Sequence, residues 1–157
     1  MKAKHLLFFS VVFPLLSCHP GRIFDEYTEI HDNRWNYNKP VEFKVIIDEI
    51  QTGYNISVNV RHASGYPYRN LFLFISMSDS AGHETKDTLE CIIADERGEY
   101  LGSGAGDIWD INIPFKNDFR FERPGVYIFT IHHGMRVENL PLIMDIGLCI
   151  EKSVTSN

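Results

Sequence analysis

At 157 residues, with 44% hydrophobic and 23% charged side chains, the chain is long enough to bury a core and too apolar to be disordered. Its formal charge is −6, and −8 once Lys2 and Lys4 of the N-terminal segment are set aside, because 13 basic residues then face 21 acidic ones. That balance excludes counterion-release binding to nucleic acid, and with it a basic patch for anionic lipid head groups.

Lys2 and Lys4 form a short positive region ahead of an almost wholly apolar run from Leu6 to Leu16. The run is too short for a permanent membrane helix, which needs about 20 apolar residues, and has the form of a secretory signal. It ends in Leu15-Leu16-Ser17-Cys18, which resembles a bacterial lipobox. In that pattern residues 1–17 are removed and Cys18 is acylated as the first mature residue, leaving 140 of the 157 residues as a domain held to the membrane by lipid. Residues 18–40 then hold the lipidated cysteine, a tether around Pro20-Gly21 and a candidate edge strand over Phe24 to Ile30.

Alternation takes over at residue 41. Val41, Phe43, Val45 and Ile47 alternate with polar residues, and so do Tyr54, Ile56, Val58 and Val60, predicting two half-buried strands. Gln51-Thr52-Gly53 between them reads as a turn, so the pair is expected to form a hairpin. Leu71 to Ser78 is more continuously apolar at its start, as in a central strand covered on both faces. Thr85 to Ala94 follows, with Leu89, Cys91 and Ile93 inward. A turn at Asp95-Glu96-Arg97-Gly98 leads into a short strand at Tyr100-Leu101 cut off by glycines. Ile108 to Phe115, Val126 to His133 and Asp145 to Glu151 complete the series. The connection over Gly134 to Pro141 is irregular, with room for one helical turn. Seven to nine short antiparallel strands with frequent turn signals predict an all-β chain: a single β-sandwich over residues 41–152, jelly-roll or immunoglobulin-like, followed by a frayed tail at 153–157.

Cysteine usage adds little. Cys91 is in phase with Leu89 and Ile93, whereas Cys149 is out of phase with Ile146, Leu148 and Ile150, so the two point to different kinds of face and are expected to be free thiols.

No constellation has catalytic spacing. Gly102 to Gly106 lacks the lysine and following helix of a phosphate loop and reads as a glycine-rich turn. His132 and His133 are strand neighbours facing opposite sides, unsuited to sharing a metal. Asp95, Glu96, Asp107 and Asp110 lack calcium-loop spacing, and no serine or cysteine sits in a nucleophile context. The expectation is a non-enzymatic protein with no cofactor and no metal. The stretch Arg61 to Leu71 is different, a loop dense in Tyr and Arg, the residue types enriched in contact hot spots. Its tyrosines suit a partner surface or a sugar-stacking surface. They equally suit a rigid cap on one end of the sandwich, with Pro67 fixing its path.

Arg61, Tyr66-Pro67-Tyr68-x-Asn70-Leu71, Asp87-Thr88-Leu89, Leu101-Gly102-x-Gly104, Pro124-Gly125-x-Tyr127, Met135-Arg136 and Asp145-Ile146-Gly147 resemble, in this order, the gliding-motility lipoprotein GldH family of Bacteroidetes-type bacteria. The resemblance runs over essentially the whole mature chain. It implies an envelope lipoprotein, without assigned enzymatic activity, serving the gliding and type IX secretion machinery through protein partners. Arg61, Tyr66, Tyr68, Asn70 and Arg136 are the expected contact residues, and Cys18 the lipidation site. The alternative is a module that binds glycan or peptidoglycan. His19-Pro20-Gly21-Arg22 lacks the acidic run that resembles a surface-export signal, which favours the periplasmic face of the outer membrane over the cell surface.

Overall fold

The computed structural model describes residues 21–153, so the expected signal peptide, Cys18 and residues 154–157 lie outside the described residues. Eleven strands follow one another: β1 (Arg22–Glu29), β2 (Arg34–Asn36), β3 (Val41–Ile47), β4 (Tyr54–Ala63), β5 (Asn70–Asp79), β6 (Glu84–Ile92), β7 (Ser103–Ala105), β8 (Ile108–Phe119), β9 (Gly125–His133), β10 (Asn139–Pro141) and β11 (Ile143–Lys152). The excess over the expected seven to nine comes from β2, β7 and β10, each three residues long and too short to show periodicity. A five-stranded sheet in the order β1-β11-β4-β8-β7 faces a four-stranded sheet in the order β3-β9-β5-β6, and β10 pairs with β2 beside them. All pairings are antiparallel, as a sandwich of short strands requires.

Alternation explains which face each strand buries. In β3, Val41, Phe43, Val45 and Ile47 are buried and their neighbours exposed. Ile146, Leu148 and Ile150 of β11 meet Ile56, Val58 and Val60 of β4 on one inner face, opposite Leu71, Leu73, Ile75, Phe129 and Ile131 on the other. Cys91 points into this core, while Cys149 lies on the outer face of the five-stranded sheet; both are free thiols. Burial pushes the Cys91 thiol up to about 12 and the Cys149 thiol up to about 11.

Three local expectations are corrected. First, β3 and β4 do not form a hairpin. Gln51 to Gly53 carries the chain across to the other sheet, and the partners of β3 and β4 come from β9, β8 and β11 instead. Second, β5 is central but covered on one face only. Leu71, Leu73 and Ile75 are buried while Phe74 is 51% exposed. Third, the connection from Gly134 to Pro141 holds no helical turn, since Asn139–Pro141 is strand β10 and pairs with Arg34–Asn36. Among the described residues the one tight turn of helical character is His31–Asn33, where Asp32 and Asn33 take positive φ, tolerated by these two residue types.

The strand directions sort the connections into two ends. At the proximal end, Gly21 accepts from the Lys152 amide at 2.8 Å, and the starts of β1, β4 and β9 lie near the ends of β3, β8 and β11. There Tyr54, Phe121 and Tyr127 stack in succession, 5.4 and 4.6 Å apart, closing the two sheets together. At the distal end sit the connections over residues 30–40, 64–69, 93–102 and 134–142.

Candidate functional site

Two of these distal connections build a groove. The segment after β9 folds back over β5: the Gly134 amide donates to the Phe72 carbonyl at 2.6 Å, and the Phe72 amide donates to Met135 Sδ at 3.5 Å. Glycine at 134 lets the Phe74 ring lie close over the backbone, since a Cβ there would stand 2.9 Å from it and push the ring aside. Tyr68, Asn70, Phe72, Met135, Arg136 and Val137 then line an open groove of about 460 Å³. Its floor is apolar. Asn70 is held at one side by donating to Glu90 at 2.7 Å, and Arg136 is exposed with no ion pair among the described residues.

Of the five expected contact residues, the structure brings together Tyr68, Asn70 and Arg136. Tyr66 is adjacent but only 5% exposed, which corrects its assignment as a direct contact. Its ring packs against His62 and Tyr68 at 5.7 and 5.8 Å, and its hydroxyl donates to the Asn70 carbonyl at 3.1 Å. Burial raises its pKa well above the ordinary value, so it stays a neutral donor. Tyr66 therefore braces the loop that presents Tyr68. The Gly65 amide donates to the Tyr100 hydroxyl at 2.7 Å, and Trp109 Nε1 donates to Ser64 Oγ at 3.3 Å, completing the brace.

Arg61 is elsewhere. It sits within β4, not in the loop, on the outer face of the five-stranded sheet. Its Nε donates to Asp110 at 2.8 Å and its Nη1 to Asp145 at 3.2 Å, tying β8, β4 and β11 across the sheet. The hydrogen bond to Asp110 is the main reason its pKa is held above the ordinary arginine value.

Sequence reasoning missed Phe72, Phe74 and Val137. The signal was present in the run Leu71-Phe72-Leu73-Phe74, where period two assigns one aromatic pair to solvent. Phe74 at 51%, Ile92 at 45% and Tyr37 at 46% exposure add apolar surface at the same end of the molecule. No group of three or more metal-ligating side chains occurs among the described residues.

Residues 22–150 match the family described as GldH lipoprotein. The chain is 33% identical over 145 residues to the gliding motility lipoprotein GldH of Flavobacterium johnsoniae, covering 88% of this chain and 89% of that one. It is 31% identical over 154 residues to a gliding motility lipoprotein GldH homolog of Christiangramia forsetii, covering 94% of each. A solved structure from infectious bursal disease virus, Gx strain, aligns with 87% of this chain and 35% of its own at 13% identity, with a TM-score of 0.21, too low to inform the fold.

Proposed function

Because the chain belongs to the GldH lipoprotein family, we propose that it is a lipid-anchored, non-catalytic docking subunit of a gliding or type IX secretion assembly. Acylation at Cys18 holds it at the periplasmic face of the outer membrane, consistent with the absence of acidic residues from His19 to Arg22. The observation that carries the reading is the distal groove, where an apolar floor of Phe72 and Met135 meets Arg136. A cation with no ion pair among the described residues, set beside apolar surface, complements a protein segment with an acidic residue flanked by apolar ones. Confinement to the membrane raises the effective concentration of the domain, so even a weak contact of this size is productive.

The experiment is crosslinking and co-purification of the native, acylated protein from its own membranes. An envelope protein is expected to co-purify from wild type, to be lost with Arg136→Glu, and to be retained with Arg61→Ala, which lies on the other sheet. Absence of any partner, or equal recovery with Arg136→Glu, would overturn the reading.

A further inference from the structure

The outer face of the five-stranded sheet carries a second constructed surface, distinct from the distal groove. Tyr27 of β1 is 46% exposed, and its ring lies across Gly147 of β11. A Cβ at Gly147 would stand 2.8 Å from two ring carbons, so the ring reaches this position only because the residue beneath is glycine. The Arg61 guanidinium carbon lies 5.7 Å from the ring centroid and is itself fixed by Asp110 and Asp145. The aromatic ring is thus held in place before any ligand arrives.

Beside it runs a row of amides. Asn112 Nδ2 donates to Asn59 Oδ1 at 2.6 Å and to Ser57 Oγ at 2.8 Å. That leaves Asn59 Nδ2 as a donor and Asn112 Oδ1 as an acceptor, each without a protein partner among the described residues. These groups and Tyr27 line a shallow depression of about 300 Å³, closed at its far side by Asp25 and Glu151, which Arg22 bridges at 2.6 and 2.9 Å.

We propose that this face binds a saccharide, with Tyr27 stacking on the apolar face of a sugar ring and Asn59 and Asn112 pairing with its hydroxyls. A pyranose offers both an apolar C–H face and closely spaced donor–acceptor hydroxyls, and this surface presents a partner for each on neighbouring strands, the ring over Gly147 and the amides of Asn59 and Asn112 beside it. An extended peptide is a poorer fit, because the middle of the depression lies over β11 and β4, whose backbones are paired on both sides, and only β1 at its margin is an edge strand. Anionic polymers are disfavoured by Asp25, Glu151, Asp110 and Asp145 on the same face. The inference does not depend on the distal groove and stands or falls separately from it.

The test uses the full acylated chain in detergent micelles against soluble oligosaccharides of glucose, mannose and N-acetylglucosamine, by calorimetric titration, and against purified sacculi, by sedimentation. Binding to at least one is expected. Tyr27→Ala should weaken it roughly tenfold, the size of a lost stacking contact, while Tyr27→Phe retains it. Tyr27 is half exposed on an edge strand, so neither variant should lower the melting temperature appreciably. Retention by sacculi alone identifies cell-wall glycan as the source; binding of soluble oligosaccharide identifies a free or exopolymeric one. No binding to any of these, or equal binding by Tyr27→Ala, would overturn the proposal.

Discussion

His62 lies wholly within the distal end, packed 4.9 Å from Tyr100 and 5.7 Å from Tyr66, and its Nε2 has no hydrogen-bond partner among the described residues. Burial lowers its pKa, against the weaker opposing effects of the Ala63 carbonyl and Asp110. His133 is lowered for the same reason; the Trp35 and Glu138 carbonyls pull the other way, but neither meets a ring nitrogen with hydrogen-bond geometry. Both histidines are therefore harder to protonate in the fold than in the unfolded chain, where they titrate near ~6.5. Below that pH the unfolded state binds more protons, so stability is fully present above ~6.5 and is lost as pH falls toward the lowered native values. Urea midpoints should therefore drop between about pH 7 and pH 5 at constant m-value. The variant His62→Leu should flatten that dependence, whatever it does to absolute stability. An unchanged slope would assign the loss to other groups.

At the scale of elements, β2 and β10 show how three-residue strands can matter. Trp35 is 2% exposed, donates from Nε1 to the Lys39 carbonyl at 2.9 Å, and meets His133 edge-on at 5.4 Å. Trp35→Phe keeps most of the packing and loses the hydrogen bond, an expected cost of about 1 kcal/mol. Trp35→Ala should cost ~3–5 kcal/mol, read from denaturant midpoints. A cost near zero for Trp35→Ala would mean the β2–β10 pair is not part of the cooperative unit. The long strands were legible because their side chains alternate at period two, as in Val41 to Ile47. Their partners were not. Turn residues at Gln51 to Gly53 look alike whether the chain folds back within a sheet or crosses to the other, and that choice rests on contacts with β8, β9 and β11, 45 or more residues away in sequence. The site was half legible for a related reason. Tyr68, Asn70 and Arg136 are polar loop or strand-end residues whose exposure follows from type, whereas the burial of Tyr66 depends on His62, Tyr100 and Trp109, which only the fold gathers. Pro114 marks one more such dependence. It sits in β8 beyond the reach of β7, paired with Ser57 beside a bulge, one of the few places in a sheet where proline is found.

The whole molecule is polar in its layout. Gly21 and the start of β1 lie at the proximal end, and the groove lined by Tyr68 and Arg136 lies at the distal one, separated by the length of strands such as the ten-residue β4 and β5. At 3.3 Å per residue that is about 30 Å. Gly21 follows Cys18 by three positions in the chain, a reach of ~10 Å at most. An acylated chain should therefore stand with its groove turned away from the bilayer. A fluorophore at Gln51 should transfer energy to acceptor lipids in vesicles far more efficiently than one at Glu138, and equal transfer would exclude that stance. The same layout governs how the domain carries mechanical load. If a partner pulls at the distal end while the lipid holds Cys18, tension runs along the axis of β1, whose bonds to β11 lie across it from Arg22 to Glu29. The ladder is then loaded in shear, with its hydrogen bonds sharing the force together. A strand entering from the opposite end would peel away one bond at a time. A lipoprotein tethered through the first residues of an edge strand is thereby built to be pulled on without unravelling.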